Sequence, residues 1–241
     1  MVTDRWCDVS GYQPPQLMRW WEWGIPRGQY RIALGRRLDA YGTLHRANMR
    51  AAGMKTGSYA VPVEYAPIAD QAWFWVDNTP DDDENDDWVD AERPLLAEWM
   101  LRSYCDSYDL HSNRQRLAIY TGGPWWNEHV PAWARPRYAR YKLIIASYPF
   151  DTPAGRPVPM DAASVALRST PPTSRRPSCP TPWFVEDGWQ HTGMGSLAGY
   201  AGFLDLGIYR VNPGAPAPLP DRLAAGIATI DRAVAEIRGA L

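Results

Sequence analysis

The fold class is decided by residues 30–61, which read YRIALGRRLDAYGTLHRANMRAAGMKTGSYAV. A short apolar strand is expected at Tyr30–Leu34, and helical spacing of apolar residues runs from Leu38 to Ala52. Gly53 follows, as glycine does at the end of many helices, and a second strand is expected at Lys55–Val61. A strand, a helix and a strand in this order predict two parallel strands joined by a helical crossover.

The same alternation continues on both sides of this unit. Further strands are expected at Trp6–Ser10, Trp88–Glu92, Arg116–Tyr120, Tyr141–Ala146, Gly188–Gln190 and Phe203–Leu206. Helices are expected at Ala66–Val76 and at Pro94–Tyr108, the second with proline in its first turn. Alternating strands and helices predict an α/β protein whose parallel sheet is either a barrel or doubly wound.

Composition limits the partners of the chain. Its 241 residues are 45% hydrophobic, enough for one sizeable domain or at most two small ones. The 25 basic and 27 acidic residues leave a net charge of -2, which argues against binding nucleic acid. No apolar run approaches the ~18 residues of a membrane span, so no membrane partner is expected. The first residues do not resemble a secretory signal, and we expect synthesis in the cytoplasm.

Cysteine and histidine give no sign of a metal site. Cys7, Cys105 and Cys179 are far apart in the sequence and are expected to be reduced and mostly buried. The four histidines are scattered without the spacing of metal ligands. We therefore expect neither a metal nor another cofactor.

The C-terminal part divides into three predicted segments. The proline-rich stretch from Pro149 to Pro182 predicts a long exposed loop within a domain that covers residues 1–212. Residues 213–220 predict a stiff proline-rich linker. Residues 221–241 carry apolar side chains at spacings of three and four, which predicts an amphipathic helix. That helix either packs on its own domain or docks on a partner.

An acidic run at residues 81–87 is the strongest local concentration of charge. Such a run is typical of a solvated loop. A calcium loop is the alternative, but the run lacks the glycine turn and the terminal glutamate spacing of an EF-hand.

Four carboxylic acids stand at or near the ends of predicted strands. Asp90 and Glu92 are two positions apart, which on a strand places both on one face. Two adjacent carboxyls repel, so one stays protonated while the other is ionised, as cleavage of a glycosidic bond requires. Asp8 ends the first strand, and Asp205 lies in a late strand between apolar neighbours. Functional groups of parallel barrels gather at such strand ends.

Short motifs that surround these acids follow one another from Trp6 to Tyr209. They are Asp8-Val9-Ser10-Gly11-Tyr12-Gln13, Ala47–Tyr59, Ala69–Phe74, Trp88–Glu92, Ile119–Gly122, Ile144–Tyr148, Gly188–Thr192 and Gly202–Leu206. In this order they resemble the DVSxxQ opening, the DxE strand end and the later strands of glycoside hydrolase family 25, the Chalaropsis-type lysozymes.

The resemblance implies an irregular TIM-like (β/α)5(β)3 barrel that cleaves the β-1,4 bond between N-acetylmuramic acid and N-acetylglucosamine in peptidoglycan. It implies that Glu92 is the general acid. Asp90 would orient the substrate's N-acetyl group for attack on the anomeric carbon, and a direct nucleophilic role of Asp90 stays open. Asp8 and Asp205 would complete the acidic cluster. The implied substrate-binding residues are Tyr59, Tyr120, Tyr148, Trp189 and Gln190.

Three functions remain open from the sequence. The first is a muramidase, encoded by a phage and acting at the bacterial cell wall as a free lysin or from a virus particle. In a virus particle, the predicted helix at 221–241 would dock on other virion proteins. The second is a non-catalytic virion or glycan-binding protein with the same barrel. It is favoured by departures from the family pattern at Tyr59-Ala60-Val61 and at Leu34–Asp39. The third is a barrel glycosidase for another polysaccharide. The complete acid set argues against the second, because unused buried carboxyls cost stability.

Overall fold

The computed structural model describes residues 2–16, 18–114, 116–149, 169–171, 177–198 and 200–211. One compact unit spans Thr3–Arg210 and carries the sheet and the helices. The predicted linker at 213–220 and the predicted helix at 221–241 lie outside the described residues, as does much of the predicted proline-rich loop.

Within the described residues, nine strands form one sheet. They are β1 (Val2–Val9), β2 (Arg27–Leu34), β3 (Arg37–Leu38), β4 (Lys55–Val61), β5 (Asp87–Asp90), β6 (Leu117–Gly122), β7 (Lys142–Ala146), β8 (Gly188–Gly195) and β9 (Leu204–Val211). The order is β1-β9-β8-β7-β6-β5-β4-β2, and pairing of β1 with β2 closes these eight strands into a barrel. The pairings from β1–β2 around to β7–β8 are parallel, whereas β9 is antiparallel to β8. The short β3 runs antiparallel beside the end of β2.

Five helices accompany the first part of the barrel. They are α1 (Trp20–Trp23), α2 (Gly42–Ala51), α3 (Ile68–Asn78), α4 (Glu98–His111) and α5 (Gly123–His129), followed by a 3₁₀ helix at Arg135–Arg140. One α-helix follows each of β1, β2, β4, β5 and β6 before the next barrel strand, and β7, β8 and β9 complete the barrel. This order confirms the predicted (β/α)5(β)3 barrel. Among the described residues, no helix is long and apolar enough to cross a bilayer.

Side chains alternate between the two faces of each strand, so the barrel has an inner core and an outer core. Trp6 and Trp88 pack edge to face with ring centroids 4.7 Å apart and form, with Ala118 and Ile144, a small inner core. A Cβ atom at Gly207 would lie 2.2 Å from the Trp6 ring, so this indole needs a glycine beside it. The neighbouring strand residues face outward into the larger core that the helices cover. Side chains two positions beyond the inner core therefore point to the barrel mouth.

Three helices begin later than the sequence predicts, and the one expected from Ala66 begins at Ile68, directly after Pro67. Arg37–Leu38 pairs with β2 as β3, so the helix expected from Leu38 starts only at Gly42. The helix expected from Pro94 starts at Glu98, because Ala97 before it has extended backbone angles. The helix α5 and the 3₁₀ helix were not predicted; their short length and prolines gave no clear periodicity.

The acidic run is a packed segment, which corrects the expectation of a solvated loop. Asp83 is buried and accepts hydrogen bonds from the Tyr30 hydroxyl at 2.6 Å, the Thr56 hydroxyl at 2.6 Å and the Arg46 Nε at 2.9 Å. The buried Asn85 amide donates to backbone carbonyls at the start of β2 and β4. The run therefore closes the barrel at the amino ends of its strands, opposite the mouth at their carboxyl ends.

Candidate active site

A pocket of about 220 Å³ opens at the carboxyl ends of the barrel strands. Its lining residues are Asp8, Ser10, Tyr12, Gln13, Arg31, Tyr59, Trp88, Asp90, Glu92, Tyr120, Tyr148, Gln190 and Asp205. All four carboxylic acids singled out in the sequence therefore meet in one cavity. They come from β1, β5, β9 and the loop after β5, as the clustering of functional groups at strand ends leads one to expect.

Asp90 and Glu92 reach the pocket in different ways. Asp90 is the last residue of β5, and Glu92 lies in the loop that follows. The spacing predicted that both side chains lie on one face of a strand. This prediction is wrong, because the strand ends at Asp90. The Glu92 N–H donates to Asp90 Oδ1 at 3.1 Å, and the backbone of Gly122 hydrogen-bonds to the Glu92 carboxyl. A Cβ atom at Gly122 would lie only 2.8 Å from Glu92 Oε1, so the glycine gives the carboxyl its place.

Burial and neighbouring charges give Asp90 and Glu92 different pKa values. Burial raises the pKa of Asp90 to about 6, although the Glu92 N–H and the Arg31 guanidinium favour its charged form. Burial, and then the charge of Asp90, raise the pKa of Glu92 to about 8. Near neutral pH, Asp90 is therefore ionised and Glu92 protonated. A protonated acid beside a carboxylate is the combination that glycosidic bond cleavage uses.

Asp8 and Asp205 form a second pair on the adjacent strands β1 and β9. Their side chains share a hydrogen bond, and burial, followed by the charge of Asp205, raises the pKa of Asp8 well above its usual range. Two carboxyls in such contact hold one proton between them. Among the described residues, Asp8 Oδ2 is buried and has no hydrogen-bond partner, which leaves it available to a ligand in the pocket.

Aromatic rings cover much of the remaining wall. The hydroxyl oxygens of Tyr120 and Tyr148 are 3.1 Å apart, and the Trp88 ring lies nearly parallel to Tyr120 with centroids 6.2 Å apart. Tyr12 is 84% exposed at the rim, with the Arg31 guanidinium 5.0 Å from its ring centroid. Flat rings with polar edges suit the faces and hydroxyls of sugars.

Of the predicted substrate-binding residues, Tyr59, Tyr120, Tyr148 and Gln190 line the pocket and Trp189 does not. Trp189 is buried in the outer core, where its Nε1 donates to the Ser147 carbonyl at 2.7 Å. Adjacent residues of a strand face opposite sides, so β8 can turn only one of Trp189 and Gln190 into the barrel.

Several lining residues were not singled out from the sequence as site residues. They are Ser10, Tyr12, Gln13, Arg31 and Trp88. Trp88 could have been found, because it lies two positions before Asp90 on the same strand. Arg31 gave no such signal, since a lone arginine on a strand is more often a surface residue.

The described part of the chain shows no group of three or more histidine, cysteine, aspartate or glutamate side chains that could hold a metal ion. Cys7 and Cys105 are buried and Cys179 is half-buried, and all three are free thiols. Burial raises the pKa of each, so these thiols stay protonated and unreactive near neutral pH.

No family profile matches the chain, and no curated protein matches it in sequence. Solved structures match it in fold. A bacterial lysozyme from Streptomyces coelicolor aligns with a TM-score of 0.66 and 18% identity over 87% of this chain and 93% of its own. A family 25 lysozyme from Aspergillus fumigatus aligns with a TM-score of 0.65 and 18% identity over 88% and 96% of the two chains.

The catalytic domain of an endolysin from a bacteriophage of Listeria monocytogenes is similar as well. It aligns with a TM-score of 0.63 and 17% identity over 87% of this chain and 94% of its own. These likenesses cover most of each chain and concern the fold. The chain therefore has the fold of the glycoside hydrolase family 25 lysozymes.

Proposed function

We propose that this protein is a glycoside hydrolase that cuts peptidoglycan between N-acetylmuramic acid and the following N-acetylglucosamine. The pairing of a protonated Glu92 with an ionised Asp90 in the barrel mouth carries this proposal. The fold it shares with lysozymes of low sequence identity supports the choice of substrate.

Glu92 supplies the proton for bond cleavage. As the bond between the anomeric carbon and the bridging oxygen breaks, the Glu92 carboxyl protonates that oxygen, and the sugar on its far side leaves as an alcohol. Water then adds to the anomeric carbon and returns a proton to the Glu92 carboxylate. With its pKa raised to about 8, Glu92 holds the proton at neutral pH and gives it up readily in the transition state.

Asp90 stabilises the positive charge that develops on the sugar ring. Its carboxylate is fixed by the Glu92 N–H at 3.1 Å and lies in the same wall as the acid. It orients the substrate's N-acetyl group, whose carbonyl oxygen bonds to the anomeric carbon as the glycosidic C–O bond breaks. The water that adds later breaks this new bond and restores the N-acetyl group. Asp8 and Asp205, which share one proton in their mutual hydrogen bond, add acceptor oxygens for the same sugar. The tyrosine rings of the wall stack on the glycan.

We further propose that the enzyme is a phage lysin that acts at the bacterial cell wall. A phage endolysin is among the proteins with the same barrel, which supports this origin.

Product analysis tests the activity. Purified bacterial walls are treated with wild type, Glu92→Gln or the surface control Glu22→Gln, and new reducing ends are reduced with borohydride and identified by mass spectrometry. We expect muramic acid ends from wild type and the control, and a loss of about a hundredfold or more for Glu92→Gln. Glucosamine ends would mean a different bond specificity. No turnover on several walls by folded protein would favour a glycan-binding module instead.

A further inference from the structure

The pocket holds a single positive charge among its described lining residues. Asp8, Asp90, Glu92 and Asp205 bring four carboxyls to the mouth, and Arg31 is the one arginine or lysine on the wall. An acidic cavity without a cation would favour protonation of all four acids. The position of this arginine therefore matters for which acids stay charged.

Asp39 holds Arg31 in place. Arg31 Nε donates to Asp39 Oδ2 at 2.6 Å, and the Asp39 side chain is only 1% exposed. The same carboxylate accepts from the Gly11 N–H and the Tyr41 N–H, each at 2.9 Å. Because Asp39 is fixed by backbone from both sides, it acts as a rigid anchor for the guanidinium. Held through Nε, Arg31 lines the pocket, and its guanidinium lies 5.0 Å from the Tyr12 ring centroid.

The groups that face this arginine come from every neighbouring element. They are Asp8 on β1, Tyr12 after β1, Asp39 after β3, Tyr59 on β4 and Asp90 on β5. Asp90 in turn faces Arg31, Glu92, Arg93 and Asp8. Asp90 therefore interacts with Glu92, which must keep its proton, and with two cations, Arg31 and Arg93.

The two cations are not equivalent. The Arg93 side chain is 40% exposed and is not among the residues that line the pocket, so solvent weakens its field at Asp90. The Arg31 side chain is only 12% exposed. Charges act more strongly through a less polar medium, so Arg31 has the larger effect on Asp90.

We propose that Arg31 is a positioning residue of this site, whose Asp39-held charge keeps Asp90 a carboxylate beside the Glu92 acid. The inference rests on the proposed function for its catalytic meaning, although the charge relation exists in the folded protein without substrate. It assigns Asp39 the role of an anchor and Arg31 that of the counter-ion. Neither residue needs to touch the breaking bond.

The test compares pH profiles of Arg31→Gln and Arg31→Lys with wild type. Arg36→Gln is the matched control, because Arg36 lies just after the same strand and pairs with Asp70 at the surface. In Arg31→Gln, the rise of kcat/KM on the acid side of the pH profile should move to higher pH, because Asp90 loses the cation that favours its charged form. Relative to wild type, its activity should then fall about tenfold more at pH 5.5 than at pH 7.5. Arg31→Lys should restore most of the wild-type profile, and Arg36→Gln should match it.

A second readout does not depend on turnover. The side-chain carboxyl carbon of Asp90 is followed by NMR during a pH titration, with Asp90→Asn used to assign the signal. Its midpoint should be higher in Arg31→Gln than in wild type. An unchanged midpoint would overturn the inference. A profile that keeps its shape and changes only KM would also overturn it, since Arg31 would then simply bind substrate. An inactive wild type with inactive Glu92→Gln would refute the proposed function, and the NMR titration would still decide the role of Arg31.

Discussion

Gly122→Ala tests whether the placement of the Glu92 carboxyl matters for catalysis. Gly122 has φ −87° and ψ 146°, which an alanine adopts without strain. The new methyl group would lie 2.8 Å from Glu92 Oε1. Ordinary contact begins at 3.4 Å, so the carboxyl must retreat by about 0.6 Å, the difference between these two distances.

The movement should cost activity and little stability. The Glu92 carboxyl is the end of a flexible side chain, so it can turn away without disturbing the strands. Catalysis is far more sensitive, because a displacement of about 1 Å at a reacting group can cost roughly 10²-fold in rate. We expect kcat/KM of Gly122→Ala to fall by ten- to a hundredfold, with the melting temperature within a few degrees of wild type.

Gly123→Ala is the matched control for this substitution. Its added methyl group would approach only the Ser178 carbonyl, at 4.0 Å. The assay is the release of reducing ends from purified walls, together with thermal unfolding of each variant. Wild-type kcat/KM in folded Gly122→Ala, or an equal loss in both variants, would refute the reasoning.

Three further predictions follow from the site and the closed end of the barrel. The profile of kcat/KM should be bell-shaped, rising as Asp90 loses its proton near pH 6 and falling as Glu92 loses its proton near pH 8; a single flat limb across this range in a pH series would contradict the assignment. Trp189→Phe should lower the free energy of unfolding in a denaturant titration by about 1–3 kcal/mol while KM stays unchanged, because the indole bonds inside the core. Asp83→Ala should lower the free energy of unfolding by about 3 kcal/mol, because the half-buried Arg46 and two buried hydroxyls lose their acceptor. Asp81→Ala, at an exposed side chain, should change it by less than about 0.5 kcal/mol, and equal effects of the two substitutions would show that the run is solvated.

Local sequence patterns were enough to predict an α/β fold with a parallel sheet and to single out the acids, whereas the choice of a barrel came from the resemblance to family 25. The strand at Lys55–Val61 has the predicted bounds, because Gly53 before it marks the end of a helix. Asp8, Asp90 and Asp205 were found because they lie in or at the end of strands of a parallel barrel. These are short-range signals that depend on the order of elements and not on the details of packing.

Long-range contacts account for what the sequence did not predict. Arg31 became part of the pocket only through Asp39, which the hairpin of β2 and β3 brings beside it. Asp83 became a buried acceptor only because Tyr30 and Thr56 on neighbouring strands point at it. Whether Trp189 points into the barrel or into the outer core depends on which face of β8 is turned inward. The residue pair Trp189-Gln190 alone does not determine that face.

The most direct test of Glu92 as the proton donor compares two substrates that differ in their leaving group. In the natural wall, the bridging oxygen must be protonated before the sugar alcohol can leave. In a dinitrophenyl glycoside of the same sugar, dinitrophenolate leaves without being protonated. We expect kcat/KM of Glu92→Gln on the wall to fall by about a hundredfold or more. On the dinitrophenyl glycoside, the fold loss should be smaller by a factor of about ten or more. Equal losses on both substrates, or no loss on the wall, would contradict the assignment of Glu92 as the general acid.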